Sequence, residues 1–193
     1  MNSFGKYKKQ KASQLSKKSG TYLEEYISKE KIQKRIRKIA KKINNDYKGK
    51  KPIFIGILNG SFILIADLVR EIKIDCEIDF LKLSSYGDDK ISSGEVKMLK
   101  ELNCEIENRD IIIIEDIVDS GLSLIFIKKL IENKKPASLR FVTLLFKKDI
   151  SNLNFKIDYI GFEIENKFVV GYGLDFAQKY RNLNAVYVLH SKN

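Results

Sequence analysis

The sequence predicts an α/β fold, a mainly parallel, twisted sheet with helices on both faces. Three features lead there. Ile111–Ile114 is a run of four β-branched apolar residues, which suits a strand covered on both faces, as in a parallel sheet. Strand-like and helix-like segments alternate along the chain, the pattern of strand–helix–strand crossovers. After the isoleucine run come acids, a small-residue turn and a helix start, and ligands in open α/β sheets sit at such carboxyl ends of strands.

The elements follow in order. Residues 1–20 carry six lysines, no acid and few large apolar groups. They predict a disordered basic tail ahead of a single domain over residues 21–193. Ser28 offers an N-cap, and Ile32, Ile36, Ile39, Ala40 and Ile43 recur at helical spacing. That helix should have one buried stripe and a face of Lys and Arg, and should stop at Asn44-Asn45-Asp46 and Gly49. Pro52 precedes the apolar strand Ile53–Ile57, and Asn59-Gly60-Ser61 forms a tight turn. Phe62–Ile72 shows helical periodicity at Phe62, Ala66 and Val69. Ile74–Leu83 reads as a strand, Tyr86–Glu95 as a polar loop, and Glu95–Lys100 as a short strand. Beyond Ile111–Ile114, Leu122–Ile131 looks helical and Leu139–Phe146 extended. Tyr159–Ile164, Phe168–Tyr172 and Ala185–Leu189 are shorter strands.

Composition narrows the class. A chain of 193 residues, 44% hydrophobic and 32% charged, needs no disulfide or metal to hold a core. Its longest apolar runs fall well short of the roughly 18 residues a membrane helix requires. The net charge is +11, yet residues 1–51 hold 17 of the 36 Lys and Arg against 4 of the 25 acids. The basic character therefore belongs to the N-terminal quarter. A solvated tail and the wet face of one helix account for it; nucleic acid and membrane are not expected partners. Cys76 and Cys104 form no CxxC pair, and residues 1–20 contain no apolar leader core. The expectation is reduced thiols and a cytoplasmic location.

The chemistry concentrates in Ile111–Ser123, IIIIEDIVDSGLS. A buried strand feeds a loop with three carboxylates, and then a turn opens a helix. Backbone N–H groups of Ser120, Gly121, Leu122 and Ser123 would point out of the helix N-terminus and form an anion site. Gly121 permits close backbone approach, and the hydroxyls of Ser120 and Ser123 add donors. Acids beside a phosphate cradle imply a sugar or a cation between them. Glu115 and Asp116 can bind ribose hydroxyls, or Mg2+ through water. Asp119 lies nearer the turn and is better placed to exchange a proton.

Ile111–Ser123 resembles the phosphoribosyl-diphosphate motif of type I phosphoribosyltransferases, with Glu115, Asp116, Ile117, Val118, Asp119, Ser120, Gly121, Leu122 and Ser123 as its nucleotide-binding residues. Ile57–Phe62, Leu83–Tyr86, Leu144–Lys147, Phe168–Asp175 and Tyr180–Leu183 resemble the hypoxanthine(-guanine) branch of that family. The likeness covers roughly residues 22–190. It implies a small hood, built partly from residues 157–190, over the sheet. It also implies purine salvage: a pentosyl transfer from 5-phosphoribosyl 1-diphosphate (PRPP) to a 6-oxopurine, giving IMP or GMP and pyrophosphate. Mg2+ is the implied cofactor and a homo-oligomer, dimer or tetramer, the implied assembly.

The resemblance also distributes roles. Asp119 would be the acid/base at purine N7. Ile117 and Phe168 would sandwich the base, and Lys147 would donate to its 6-oxo oxygen. The backbone at Lys167 and Val169 would read the base edge. Asp175, also beside the purine, would join Glu115 and Asp116 in holding metal. Leu58, Asn59, Gly60 and Ser61, with a cis peptide between Leu58 and Asn59, would bind pyrophosphate together with Arg181. Ser85 and Tyr86 would hinge a lid over Tyr86–Glu95. Asn59 stands where many members carry Lys, which bears on one pyrophosphate contact; Ser120 and Ser123 stand where Thr is frequent. Two rivals remain at this stage: the same fold acting on another base such as xanthine, and a regulator of this fold that binds RNA through the basic N-terminal region.

Overall fold

A computed structural model describes residues 20–85 and 96–191. Most of the basic tail, and the loop Tyr86–Glu95 with Tyr86 at its expected hinge, lie outside the described residues. The chain forms two sheets. The larger contains β2 (Ile53–Leu58), β3 (Glu77–Ser85), β4 (Val96–Lys100), β5 (Asp110–Val118), β6 (Ser138–Phe146) and β7 (Tyr159–Glu163). Its order is β4-β3-β2-β5-β6-β7. All its pairings are parallel except β3 with β4. The smaller sheet joins β1 (Thr21–Ile27), β9 (Val186–Ser191) and β8 (Val169–Val170), antiparallel, in the order β1-β9-β8.

Helices cover both faces of the large sheet. On one face α1 (Lys29–Asp46) and α2 (Phe62–Glu71) pack over Phe54, Ile112 and Ile114. On the other, α3 (Leu122–Glu132) sets Leu124, Ile127 and Ile131 against Ile53, Ile55, Ile111 and Ile113. Ile111–Ile114 therefore contributes alternate residues to two cores, and every one of them is buried. That is why the run shows no polar alternation.

α1 follows its sequence signals closely. Ser28 Oγ accepts from Lys31 N at 3.4 Å, and the five expected apolar residues are all buried. The helix nevertheless runs through Asn44-Asn45-Asp46, which were expected to end it. Asn44 is held in place by α2: its Nδ2 donates to Glu71 O at 3.2 Å, and its Oδ1 accepts from Lys73 N at 2.8 Å.

Other expectations are corrected. In α2 the buried residues are Leu64, Ile65 and Leu68, while Phe62 and Ala66 are exposed. Its polar residues Asp67, Arg70 and Glu71 share one side of the helix, but Asp67 is half-buried against Gln33 and Tyr172, so that stripe does not mark the solvent face. β5 continues through Val118, with Glu115 opposite Thr143 and Ile117 opposite Leu145. Glu115 and Asp116 thus sit on the strand, and only Asp119 lies in the turn. The expected strand Phe168–Tyr172 shrinks to Val169–Val170, because Gly171, Tyr172 and Gly173 all adopt positive φ. β1 is an addition. Its pattern, TYLEEYI, has neither a helical nor a strict strand period. It becomes a strand by pairing with β9, some 165 residues further along. The hood accordingly consists of β1, β8 and β9, and Tyr159–Glu163 belongs to the large sheet.

β3 and β4 are tied together at their base by Asp79, a buried carboxylate. It accepts from the backbone N–H of Phe80 at 2.7 Å, Asn103 at 2.6 Å and Cys104 at 3.1 Å, and from Lys100 Nζ at 3.2 Å. Burial by itself would raise its pKa, but these donors outweigh it and hold the carboxyl well below the usual range. Its stabilisation is therefore complete above the ordinary carboxylate pKa and fades as the pH falls through the lower, folded value. Asp79→Asn should cost about 1–3 kcal/mol at pH 7. Denaturant unfolding should show the gap closing in strong acid; equal stability at pH 7 would contradict the role.

Candidate active site

An open cleft of about 340 Å³ lies at the carboxyl ends of β2, β5 and β6, under the hood. Asn59 and Gly60 reach it from the turn after β2, Asp116, Ile117 and Asp119 from β5 and its exit, and Lys147 from the end of β6. The hood and its loop supply Phe168, Val169, Leu174, Asp175 and Arg181. Residues far apart in sequence meet here because parallel strands all present their carboxyl ends on one side.

One wall of the cleft is a close meeting of the Asp116 carboxyl with two backbone segments. A Cβ on Gly60 would stand 1.9 Å from Asp116 Oδ2, and one on Gly173 would stand 2.0 Å from Gly60 O. Gly173 also has φ +99. No side chain fits at either position, so both glycines are required sterically. The Leu58–Asn59 peptide is cis, as the resemblance implied.

The carboxylates fall into two kinds. Asp119 and Asp175 each have a cation. Lys147 Nζ donates to Asp119 Oδ2 at 2.8 Å and to Asn166 Oδ1 at 3.2 Å. Lys147 is buried (6% exposed), so it is no solvated strand end. Arg181 pairs with Asp175 at 2.7 Å and donates to Gly173 O at 2.8 Å. Glu115 and Asp116 have no such partner. Burial drives the Glu115 carboxyl well above its usual value, and neighbouring Asp116 pushes it further. Burial likewise raises Asp116, to about 6, against backbone donors and the more distant Arg181. Glu115 Oε2 is buried without a hydrogen-bond partner among the described residues.

Among the described residues no three His, Cys, Asp or Glu side chains form a group able to hold a metal ion. Glu115, Asp116 and Asp175 thus make no closed cage. The arrangement still fits Mg2+, which takes one or two carboxylates and completes its shell with water and substrate oxygens.

Gly121 N-caps α3 with φ +86, and a Cβ there would meet Leu153 Cδ2 at 2.7 Å. Ser120, Leu122 and Ser123 are exposed at the cleft's edge, and the first turn of α3 contains no acid. That helix end is open to an anion. Phe168 is 54% exposed and meets Phe176 edge-on at 5.8 Å, which leaves one ring face free.

Several expected residues stand back from the cleft. Leu58, Ser61, Glu115 and Val118 do not line it, and the buried Ser61 hydroxyl donates to Ile57 O at 2.5 Å. Lys167 turns its amine to Glu165 at 2.8 Å and gives its N–H to Glu165 O at 2.7 Å. Only the backbone of Ser85 is described. Leu174 and Asn166 were not anticipated. Asn166 carries no sequence signal of its own, being one polar residue in a turn.

The fold and this cleft are those of a phosphoribosyltransferase, and the sequence matches the phosphoribosyl transferase domain over residues 23–177; the chain belongs to that family. Within it, the similarity is to the hypoxanthine-guanine branch. The hypoxanthine-guanine phosphoribosyltransferase of Bacillus subtilis is 45% identical over 163 residues, covering 84% of this chain and 91% of that protein. The bifunctional protein TilS/HprT of Listeria monocytogenes is 42% identical over 163 residues, and the chain spans only 25% of its length. A crystal structure of a hypoxanthine-guanine phosphoribosyltransferase from Bacillus anthracis matches with a TM-score of 0.82 at 41% identity, covering 86% of this chain and 97% of that one.

The raised Asp116 carboxyl has a measurable consequence. Its ordinary value is 3.8 and its folded value about 6. Between these the folded state binds more protons than the unfolded one, so stability rises as the pH falls through 6. Glu115 acts in the same direction. Ligand-free protein should therefore resist urea better at pH 5 than at pH 7, as far as this pair decides, and Asp116→Asn should flatten that difference. An unchanged pH profile in the variant would exclude the assignment.

Proposed function

We propose that this chain transfers the 5-phosphoribosyl group of PRPP to N9 of hypoxanthine, and also of guanine, giving IMP or GMP and pyrophosphate in purine salvage. The observation that carries the reading is the Lys147–Asp119 pair at the cleft wall, 2.8 Å apart. A 6-oxopurine presents two neighbouring acceptors, N7 and O6, on one edge. An ammonium beside a carboxyl matches that edge once N7 bears a proton for Asp119 to accept. Adenine offers an amino group at the 6-position, which an ammonium cannot accept from.

In the reaction the C1–O bond to pyrophosphate breaks and a C1–N9 bond forms. The purine proton leaves through N7 to Asp119. Phe168 stacks on the base, with Ile117 on its other face. The backbone of Val169 and the Lys167 carbonyl follow its edge, and Asp175 lies beside them. The N–H groups of Ser120, Gly121, Leu122 and Ser123, with Val118 leading into the turn, hold the 5′-phosphate at the α3 N-terminus. Glu115 and Asp116 face the ribose hydroxyls. Arg181 and the backbone around Asn59 and Gly60 receive the charge that develops on the leaving pyrophosphate. Leu58 and Ser61 serve by shaping that turn. Mg2+, when bound, supplies neutralising charge at the diphosphate oxygens; Glu115, Asp116 and Asp175 are the residues to hold it.

The same reading places one catalytic domain at residues 21–193 behind the basic tail. Two free cysteines support a reducing, cytoplasmic setting. No described helix is long and apolar enough to cross a membrane. Exposed Phe62, Ile78 and Leu99 offer apolar surface to a second copy in a dimer or tetramer.

Asp119→Asn should lower kcat by about 10²–10⁴ with little change in substrate affinity; near-normal turnover would remove Asp119 from the chemistry. Wild-type protein should use hypoxanthine and reject adenine by up to about 10⁴ in kcat/KM, and Lys147→Ala should lose hypoxanthine activity and narrow that ratio. Retained selectivity in the variant would refute the role of Lys147. Activity should disappear on chelation and return with Mg2+; full activity in chelator would exclude the metal.

A further inference from the structure

Lys147 has two acceptors in the ligand-free cleft, and only one of them belongs to the chemistry described above. Asn166 Oδ1 takes the second bond, at 3.2 Å. Asn166 is exposed, while the ammonium it reaches is buried at the end of β6. Both ends of this contact are anchored in backbone. Lys147 N donates to Val118 O at 3.0 Å, and Ile164 N donates to Phe146 O at 2.9 Å. The hood segment that begins at Ile164 is thereby pinned to the strand that carries Lys147. Two residues past Asn166 comes Phe168, and then Val169, both lining the cleft.

We infer that Asn166 is a positioning residue for base recognition: it holds the Lys147 ammonium so that its remaining protons face the purine 6-position. An ammonium has three donors and a flexible four-carbon stem. When Asp119 turns to the base, a lysine bound only to Asp119 loses its fixed direction. Asn166 keeps one donor engaged throughout. One short hood segment thus carries both the stacking ring and the acceptor that aims the base-reading ammonium. This rests on the purine reading above and assigns a residue that reading did not use.

Equilibrium binding of IMP to the full chain, measured by titration calorimetry, tests it. Asn166→Ala should weaken IMP binding about 10- to 100-fold, the span expected for one hydrogen bond to a charged group. Asn166→Asp keeps an acceptor at the same atom and should restore most of the affinity. In a Lys147→Ala background, Asn166→Ala should change the Kd by less than about twofold, because contacting residues that act as a unit are non-additive. Full additivity, or an Asn166→Asp loss as large as that of Asn166→Ala, would show that Asn166 only shapes the hood and would overturn the proposal. So would normal IMP binding by Asn166→Ala while Lys147→Ala is impaired. If Lys147→Ala itself binds IMP normally, or the wild type binds none, the purine reading fails first and takes this inference with it.

Discussion

The Asp116 carboxyl and two backbone segments, the turn at Gly60 and the hood loop at Gly173, pack so closely that a Cβ has no room at either glycine. The glycine at position 60 leaves room for the Asp116 carboxyl, and the one at 173 leaves room for the carbonyl of Gly60. Hood, turn and central strand meet at this point. An added Cβ at either glycine would have to displace backbone or a buried carboxyl. The contact therefore sets how far the hood loop stands from the sheet, and with it the distance between Arg181 and Asp116.

The loop that carries Gly173 is held from behind by a second group of contacts. Tyr172 has φ +52, unusual for a bulky residue. Its hydroxyl donates to Asp67 at 2.5 Å, and Gln33 Nε2 donates to the same carboxylate oxygen at 2.6 Å. Asp67 also pairs with Arg70. One carboxylate on α2 thus ties α1 to the hood loop. Tyr172 N donates to Leu183 O at 2.8 Å and Gly173 N to Arg181 O at 3.0 Å, so the loop folds back on itself and returns Arg181 to the cleft.

Charge in the cleft is arranged to be incomplete. Two acids are matched by Lys147 and Arg181, each held by further acceptors. Two others, adjacent on β5, have no cation beside them, and desolvation raises both; of the two only Asp116 lines the cleft. An unpaired buried carboxylate is costly. A ligand that brings hydroxyls, or a cation with its own phosphate oxygens, relieves that cost on binding. Phe168, half-exposed, offers apolar surface in the same cleft.

Much was legible in the sequence because the relevant physics is local. Four consecutive β-branched isoleucines suit a strand covered on both faces. A Ser cap followed by apolar residues at helical spacing defines α1. Acids, small residues and a helix start in succession mark the candidate anion site. Tertiary structure decided what depends on distant partners. β1 exists because β9 pairs with it. α2 turns Asp67 toward Gln33 and Tyr172, so packing and not its polar stripe chose Leu64, Ile65 and Leu68 as its inner face. Asn44 extends a helix it was expected to end because α2 offers it a carbonyl and an N–H. Asn166 matters only because the hood brings it to Lys147. Local pattern fixes which element forms and where a charge enters the chain; which group receives that charge is settled by packing, since hydrogen-bond partners in this cleft come from strands and loops that neighbour one another only in the folded state.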